Sequence, residues 1–151
     1  MFERIVYPTD FSEVSNKAAH VLKKLKGTEP QSVLVVHVLD QREFHSFVGD
    51  VTPGSPLSRD LITHWEDSRR QHAETELERV ASDLSSLGYH VITRLEDGIP
   101  FLKILEIAEE EHATVIVLGS HGKSNLREIL LGSVSENIVR KAMIPVLVIK
   151  R

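Results

Sequence analysis

The sequence predicts a three-layer α/β fold, in which helices cover both faces of a five-stranded parallel sheet with strand order 3-2-1-4-5. Segments of strand character alternate with segments of helical periodicity along the whole chain, as in successive βαβ units. The segment 32–38 is rich in β-branched and apolar residues on both faces, which is typical of a parallel strand covered on both sides. We expect residues 1–151 to form one domain.

The first third of the chain supplies two strands and one helix. Residues 4–7 predict a short strand that stops at Pro8, and Ser12 is a good N-cap for a helix running to about Leu25. The segment 32–38 follows as the second strand. Residues 40–56 hold two glycines and two prolines and show no apolar period, so we interpret them as a long loop.

The remainder of the chain continues the alternation. A long helix with a polar, partly exposed middle is expected first, ended at Gly88, and the strand after it has the mixed character of a strand near a sheet edge. Proline lies where it is tolerated, in the first turn of a helix at Pro100 and at the first residue of a strand at Pro145. The predicted elements are a helix over 57–87, a strand over 89–95, a helix from Pro100, a strand over 114–118, a helix over 134–143 and a strand over 145–149.

Composition excludes several classes of protein. A formal charge of −4 and a pI near 6.1 argue against a dedicated nucleic-acid binder. The chain has no cysteine, which excludes disulfide scaffolds, thiolate metal sites and cysteine nucleophiles. Its apolar runs are far shorter than the ~18 residues of a membrane span, and its N-terminus lacks the apolar region of a signal peptide. We therefore expect a cytoplasmic protein with no membrane and no nucleic-acid partner.

Two strand ends carry residues suited to an anionic ligand. Ligands of open α/β sheets bind at the carboxyl ends of the strands, where backbone N–H groups of glycine turns and helix N-termini attract phosphate. Gly119 and Gly122 follow the fourth strand, Gly132-Ser133-Val134-Ser135 opens the last helix, and Pro8-Thr9-Asp10 follows the first strand. Lys123 and Arg127 lie between the glycines and would add positive charge. The joint placement favours an anion site.

A simpler interpretation of the same residues stays open. The glycines then form only a tight turn, Ser133 and Ser135 only cap a helix, and Asp10 caps the first helix with no ligand nearby. The spacing is not that of a P-loop, and no carboxylate is an obvious base for water, since Glu128 is best interpreted as a solvated helix charge. The eight histidines are scattered without metal-ligand spacing, and His121 alone lies within the glycine motif.

The chain resembles the universal stress protein family, in its ATP-binding subclass. The subclass motif is glycine, two residues, glycine, nine residues, glycine and then serine or threonine, and this chain has it as Gly119, Gly122, Gly132 and Ser133. The segments 7–12, 117–122 and 145–149 also resemble the family. The resemblance covers the whole chain and implies a Rossmann-like fold of the adenine nucleotide alpha hydrolase type.

The resemblance implies an ATP site with Mg or Mn held through the phosphates and no metal ligand from protein side chains. Asp10 and the backbone of Val38 would face the adenosine, and Asn125 departs from a position that is often glycine in the family. The implied nucleotide-binding residues are Pro8, Thr9, Asp10, Val38, Leu118, Gly119, His121, Gly122, Gly132, Ser133, Val134 and Ser135.

We expect a nucleotide-dependent stress or regulatory module with slow or no hydrolysis, and therefore no catalytic residues. An apolar edge strand left unpaired promotes aggregation, so we expect residues 146–149 to pair with the same strand of a second copy in a homodimer. An unknown protein partner is compatible with this role.

Two alternatives stay open. One is an enzyme that uses adenine nucleotides, either a slow ATPase or an adenylating enzyme. The other is an interaction module without nucleotide.

Overall fold

The computed structural model describes residues 2–25, 27, 31–50, 56–120 and 131–150. Within these ranges the strands are β1 (Arg4–Pro8), β2 (Ser32–Asp40), β3 (His90–Gly98), β4 (Val115–Gly119) and β5 (Val146–Ile149). The helices are α1 (Glu13–Leu25), α2 (Gln41–Asp50), α3 (Pro56–Ser86), α4 (Pro100–Glu110) and α5 (Ser133–Lys141).

The five strands form one parallel sheet of order β3-β2-β1-β4-β5, which confirms the predicted fold class and strand order. The central strand β1 is paired on both sides, with Ile5 opposite Val33 of β2 and opposite Val115 of β4. Because every pair is parallel, all carboxyl ends meet at one edge of the sheet. That edge carries the candidate site.

The core lies in two layers, one on each face of the sheet. Helices α1 and α3 cover one face, and helices α4 and α5 cover the other. Alternate residues of a strand point to opposite faces, so neighbouring residues of β2 serve different layers. Val33 and Val35 belong to the α1/α3 layer, and Leu34, Val36 and Val38 belong to the α4/α5 layer.

The prediction of a loop over 40–56 is wrong for residues 41–50, which form helix α2. Phe44, Phe47 and Val48 recur at helical spacing and are its partly buried positions. The ring of Phe47 stacks on Trp65 of α3, with centroids 4.5 Å apart and planes 4° apart. A contact to a distant aromatic ring therefore stabilises a helix whose own apolar pattern is short. Residues 51–55 lie outside the described part of the chain.

The long helix α3 has 31 residues, and its buried positions Ala73, Leu77, Val80 and Leu84 form one face. The side chains of 68–72 are mostly exposed, as expected of the polar middle. Strands β3 and β5 are the two edges of the sheet. Among the described residues, no helix has the length and apolar character needed to cross a membrane.

Candidate functional site

A cavity of about 430 Å³ opens at the carboxyl edge of the sheet, around the ends of β1, β2 and β4. The connections from β1 and from β4 run to opposite sides of the sheet, and such a reversal point is where open α/β sheets bind ligands. Ten of the twelve residues predicted for the site line this cavity: Pro8, Thr9, Asp10, Val38, Leu118, Gly119, Gly132, Ser133, Val134 and Ser135. His121 and Gly122 lie outside the described residues.

The cavity has two chemically different walls, which come from the two faces of the sheet. The apolar wall lies on the α4/α5 side and consists of Val36, Val38, Pro100, Ile104, Leu118, Val134 and Ile138. The wall on the α1/α3 side carries His37, Glu43, Arg69 and His72 beside the ring of Phe11, and we call it the polar wall. The end of the sheet separates the two walls, because His37 lies between Val36 and Val38 in β2 and points the other way.

The turn from β1 into α1 is held by a chain of hydrogen bonds. The Thr9 N–H donates to the carbonyl of Val36 over 2.9 Å, and the Phe11 N–H donates to Thr9 Oγ1 over 3.0 Å. The Ser12 N–H donates to Asp10 Oδ1, also over 3.0 Å. Phe11 has a φ of 62°, in the left-handed region that a bulky residue adopts only when its surroundings force it. The turn is therefore tightly specified next to Asp10.

Ser12 caps helix α1, as the sequence predicted. Its Oγ accepts the Ser15 N–H at 3.3 Å, and the Ser15 hydroxyl donates to Thr9 Oγ1 at 2.8 Å. The buried hydroxyl of Tyr7 donates to the Ser15 carbonyl at 2.7 Å. Burial of Tyr7 raises the pKa of its hydroxyl, although hydrogen bonds with Ser15 and Thr9 act in the opposite direction. This end of β1 is thereby joined to the first turn of α1.

His37 joins the polar wall to the same turn, and only 9% of it is exposed. Its Nδ1 lies 2.7 Å from the Thr9 carbonyl oxygen. A carbonyl oxygen only accepts, so Nδ1 carries the hydrogen of this bond. The ring of His37 also stacks on that of Phe11, with centroids 4.4 Å apart and planes 28° apart. His37 is therefore a buried histidine with two defined contacts to this turn.

The start of α5 also lines the cavity. Gly132 is the N-cap, no side chain caps the helix, and the first helical bond runs from the Glu136 N–H to the Gly132 carbonyl. The N–H groups of residues 133–135 precede that bond, so the helix itself offers them no acceptor. The aligned peptide dipoles of this nine-residue helix place a partial positive charge at its N-terminus, which adds to the attraction for an anion.

Two predicted site residues have a structural duty as well. The Ser135 hydroxyl donates to the Gly119 carbonyl at 2.8 Å, so this hydroxyl ties α5 to the end of β4. A Cβ on Gly119 would lie 3.1 Å from three atoms of Val14, including its backbone carbonyl. Glycine at 119 thus leaves room for the close approach of α1. Gly132 has a φ of −70°, which other residues also adopt.

Charged side chains at the outer rim of the cavity are paired. Arg69 of α3 donates to Glu43 of α2 at 2.9 Å and lies over the Trp65 ring, 4.3 Å from its centroid. Arg42 binds Asp40 through both carboxylate oxygens. Burial acts to raise the pKa of Asp40, but the hydrogen bonds from Arg42 outweigh it, and the pKa is lowered. Asp40 is therefore held ionised.

No three His, Asp or Glu side chains of the described ranges come together as ligands for a metal ion. The expectation that a cation reaches the site only through a bound phosphate stays a prediction.

The model of the universal stress protein family matches residues 1–150. The chain belongs to this family. Universal stress protein MJ0577 of Methanocaldococcus jannaschii is 36% identical over 156 residues, which cover 100% of this chain and 96% of that protein. Universal stress protein MJ0531 of the same organism is 34% identical and matches 100% of this chain and 84% of its own length.

Solved structures agree with the family assignment. The structure of MJ0577 superposes with a TM-score of 0.88 and covers 100% of this chain and 97% of that chain. A universal stress protein from Archaeoglobus fulgidus, solved in complex with dAMP, has a TM-score of 0.63 at 22% identity and covers 99% of this chain and 98% of that chain. At that identity the likeness shows the shared fold alone.

Several cavity residues were not predicted from the sequence. They include Phe11, His37, Glu43, Arg69, His72, Pro100 and Ile104. One signal for His37 was present, because it is a polar residue within an otherwise apolar strand, and a buried polar residue is more informative than a buried apolar one. The α3 residues carried no such signal, since their place over the end of β2 follows only from how α3 packs on the sheet.

Proposed function

We propose that this universal stress protein binds ATP in the cavity at the carboxyl edge of its sheet and acts as a nucleotide-dependent regulatory module. The observation that carries the proposal is the joint placement of two unlike surfaces in one cavity. The apolar wall suits a planar base, and the uncapped start of α5 suits phosphate. A ligand that combines a base with a chain of phosphates satisfies both at once.

The adenosine end is assigned to Asp10 and Val38. One oxygen of Asp10 accepts the Ser12 N–H, which fixes the direction of the carboxylate beside the cavity and leaves it further acceptor capacity. Val38 ends the apolar wall on β2. The phosphates are assigned to the N–H groups of residues 133–135, with Mg or Mn bound to the phosphate oxygens. Another family member of the same fold has been solved in complex with dAMP, which is compatible with this assignment.

We further propose that the protein hydrolyses ATP slowly or not at all. A general base needs a carboxylate or imidazole within reach of the attacking water. Among the described side chains of the cavity wall, Asp40 is bound by Arg42 and Glu43 is bound by Arg69, Asp10 is assigned to the adenosine end, and the imidazoles of His37 and His72 contact Phe11 on the polar wall. Release of phosphate at about 1 per second or faster, the range typical of enzymes, would instead favour the enzyme alternative.

The decisive experiment compares ATP binding by the wild-type protein and by Asp10→Asn. The wild type should gain roughly 5–10 °C in Tm at an ATP concentration 100 times its Kd, because the ligand binds only the folded state. Asparagine keeps an oxygen for the Ser12 N–H but removes the charge, and a hydrogen bond to a charged group is worth about 1.5–3 kcal/mol. We therefore expect ATP to bind the variant about 10- to 100-fold more weakly in titration calorimetry.

Asp83→Asn is the matched control, since it removes the same charge from a carboxylate on α3 that is 69% exposed and remote from the cavity wall. It should bind ATP as the wild type does. Inorganic tripolyphosphate tests the phosphate end of the site by itself, because it has no base to contact the apolar wall. A wild type whose Tm is unmoved by ATP would favour the interaction module without nucleotide and would overturn the proposal.

We also propose that the protein is a homodimer paired through β5, in the cytoplasm. Strand β5 pairs with β4 on one side only, and each of its four side chains is partly exposed. Val139 and Met143 lie nearby on the chain, and they are 42% and 98% exposed. An exposed apolar edge is stabilised when a second copy covers it. Sedimentation equilibrium at micromolar concentration should give twice the mass of 17.0 kDa, and a monomer mass would contradict this.

A further inference from the structure

We infer that His37 is a positioning residue for the proposed nucleotide site. It holds the turn of residues 9–12 so that the Asp10 carboxylate faces the cavity. His37 contacts this turn in two places, through a hydrogen bond to the Thr9 carbonyl and a ring stack on Phe11. The functional consequence rests on the proposed function, whereas the effect on the turn does not.

Thr9 immediately precedes Asp10 in the turn. Both of its backbone polar groups bind to β2: the N–H donates to the Val36 carbonyl at 2.9 Å, and the carbonyl accepts from His37 Nδ1 at 2.7 Å. The Val36 bond is made by backbone and survives any substitution other than proline at 9. The bond from His37 is made by a side chain. His37 is therefore the point at which a substitution can release the Thr9 carbonyl.

Phe11 immediately follows Asp10 in the turn. Its φ of 62° is unfavourable for an aromatic residue, so something must hold it there. The described contacts that do so are the bond from its N–H to Thr9 Oγ1 and the stack on His37, with His72 edge-on to the Phe11 ring at 6.3 Å. The residues on both sides of Asp10 thus depend on the same imidazole.

The conformation of this turn fixes the Asp10 carboxylate. Asp10 Oδ1 accepts the Ser12 N–H at 3.0 Å, and the left-handed conformation of Phe11 between them sets the direction in which the carboxylate points. If His37 releases Thr9 and Phe11, this bond is lost and the carboxylate samples other directions. His37 would act on the ligand only through Asp10, without touching the acceptor oxygen itself.

Two pairs of variants separate the contribution of the His37 hydrogen bond from that of its ring stack on Phe11. His37→Phe keeps an aromatic ring for Phe11 but removes the donor, and His37→Asn keeps a side-chain donor near the position of Nδ1 but removes the ring. His37→Ala removes both and serves as the partner of the asparagine variant should the phenylalanine variant fail to fold. His64→Asn, at an exposed position of α3, is the control for a histidine change elsewhere.

The first readout does not involve nucleotide. Amide hydrogen exchange of Phe11 and Ser12 reports the two bonds of the turn, and exchange of Val35, which is fully buried in β2, reports global opening. In His37→Phe and His37→Ala we expect Phe11 and Ser12 to exchange about tenfold faster relative to Val35. In His37→Asn they should stay within about threefold of the wild type. Unchanged exchange in the variants without a donor would overturn the inference.

The second readout is the Kd for ATP. His37→Phe and His37→Ala should bind about tenfold more weakly, as expected for the loss of one buried hydrogen bond, while His37→Asn recovers most of the affinity. A purely structural role would instead lower affinity only in proportion to Tm, with no recovery by asparagine, and would overturn the inference. If the wild type itself does not bind ATP, the proposed function fails, and the exchange experiment alone still decides whether His37 positions the turn.

Discussion

The apolar wall and the polar wall line the same cavity but are stabilised by different means. Val36, Leu118 and Ile138 of the apolar wall are among the buried residues that form the α4/α5 layer of the core. The polar wall is held by hydrogen bonds, ring contacts and an ion pair, and its residues Glu43 and His72 are exposed. A substitution in the apolar wall changes the packing density of the core. A substitution in the polar wall changes the direction of polar side chains and the charge around the cavity.

This difference suggests how ligand preference can vary without loss of the fold. Core packing tolerates little change in volume, so the apolar wall is constrained by stability as well as by the ligand. The Glu43 side chain is 56% exposed, and an ion pair of an exposed carboxylate contributes only about 0–1 kcal/mol to stability, so Glu43 can change at low cost to the fold. The polar wall is therefore where we expect members of the family to differ.

The largest effect should follow from Leu118→Ala in the apolar wall. Removing a buried leucine side chain costs about 2–5 kcal/mol of unfolding free energy, and here it also enlarges the cavity where the base is assigned. Leu84→Ala is the control, because Leu84 is equally buried in the α1/α3 layer and does not line the cavity. Both variants should lose stability in urea titrations, and only Leu118→Ala should also bind ATP more weakly at equal folded fraction. Equal affinities would break the assignment of the base to this wall.

A smaller loss should follow from Gly119→Ala at the end of β4. The added Cβ would lie 3.1 Å from the carbonyl carbon and oxygen of Val14 and must push α1 away, which costs about 1–3 kcal/mol. Gly49→Ala makes the same chemical change in α2, where no atom lies within 4 Å of the new Cβ, and helix propensity favours alanine there. We expect urea midpoints to fall for Gly119→Ala and to rise or stay level for Gly49→Ala. A neutral Gly119→Ala would contradict this expectation and would show that α1 shifts by a few tenths of an ångström without loss of stability.

The smallest effect concerns the strained turn of the polar wall. Phe11→Ala and Phe11→Gly lose the same ring, but only glycine adopts a φ of 62° without a Cβ penalty. The alanine variant should therefore be less stable than the glycine variant by about 1 kcal/mol, as measured by chemical denaturation. In helices and strands the glycine variant is usually the less stable of the two. If that holds here as well, Phe11 is not in the left-handed conformation in solution.

Much of the fold follows from the sequence because its strands are short, apolar and well separated. The second strand was predicted over 32–38 and extends to Asp40, and the last helix was predicted over 134–143 and ends at Lys141. These are differences of a few residues at element ends, where fraying and capping decide the boundary. Helix α2 was missed because its stability depends on the stack of Phe47 on Trp65, two residues far apart in the chain.

The candidate site was predictable to the extent that it lies in local motifs. Asp10, Gly119 and Gly132 belong to segments that resemble the family, and the structure brings them to one cavity. The roles of the individual groups could not be predicted. The Ser135 hydroxyl donates to the Gly119 carbonyl, and the absence of a side chain at Gly119 leaves room for Val14. Such roles depend on which atoms of distant elements meet, and spacing along the chain does not encode them.

The two bonds that join the end of β4 to the start of α5 have a consequence for protein engineering. The Gly132 N–H donates to the Ser120 carbonyl at 2.7 Å, and Ser135 holds Gly119, so residues on either side of the 121–130 segment are fastened to each other. Each doubling of a flexible insert between fixed ends costs only about 0.6 kcal/mol of closure entropy. Foreign peptides grafted between these anchors should thus be carried at the rim of the cavity while the sheet beneath remains intact.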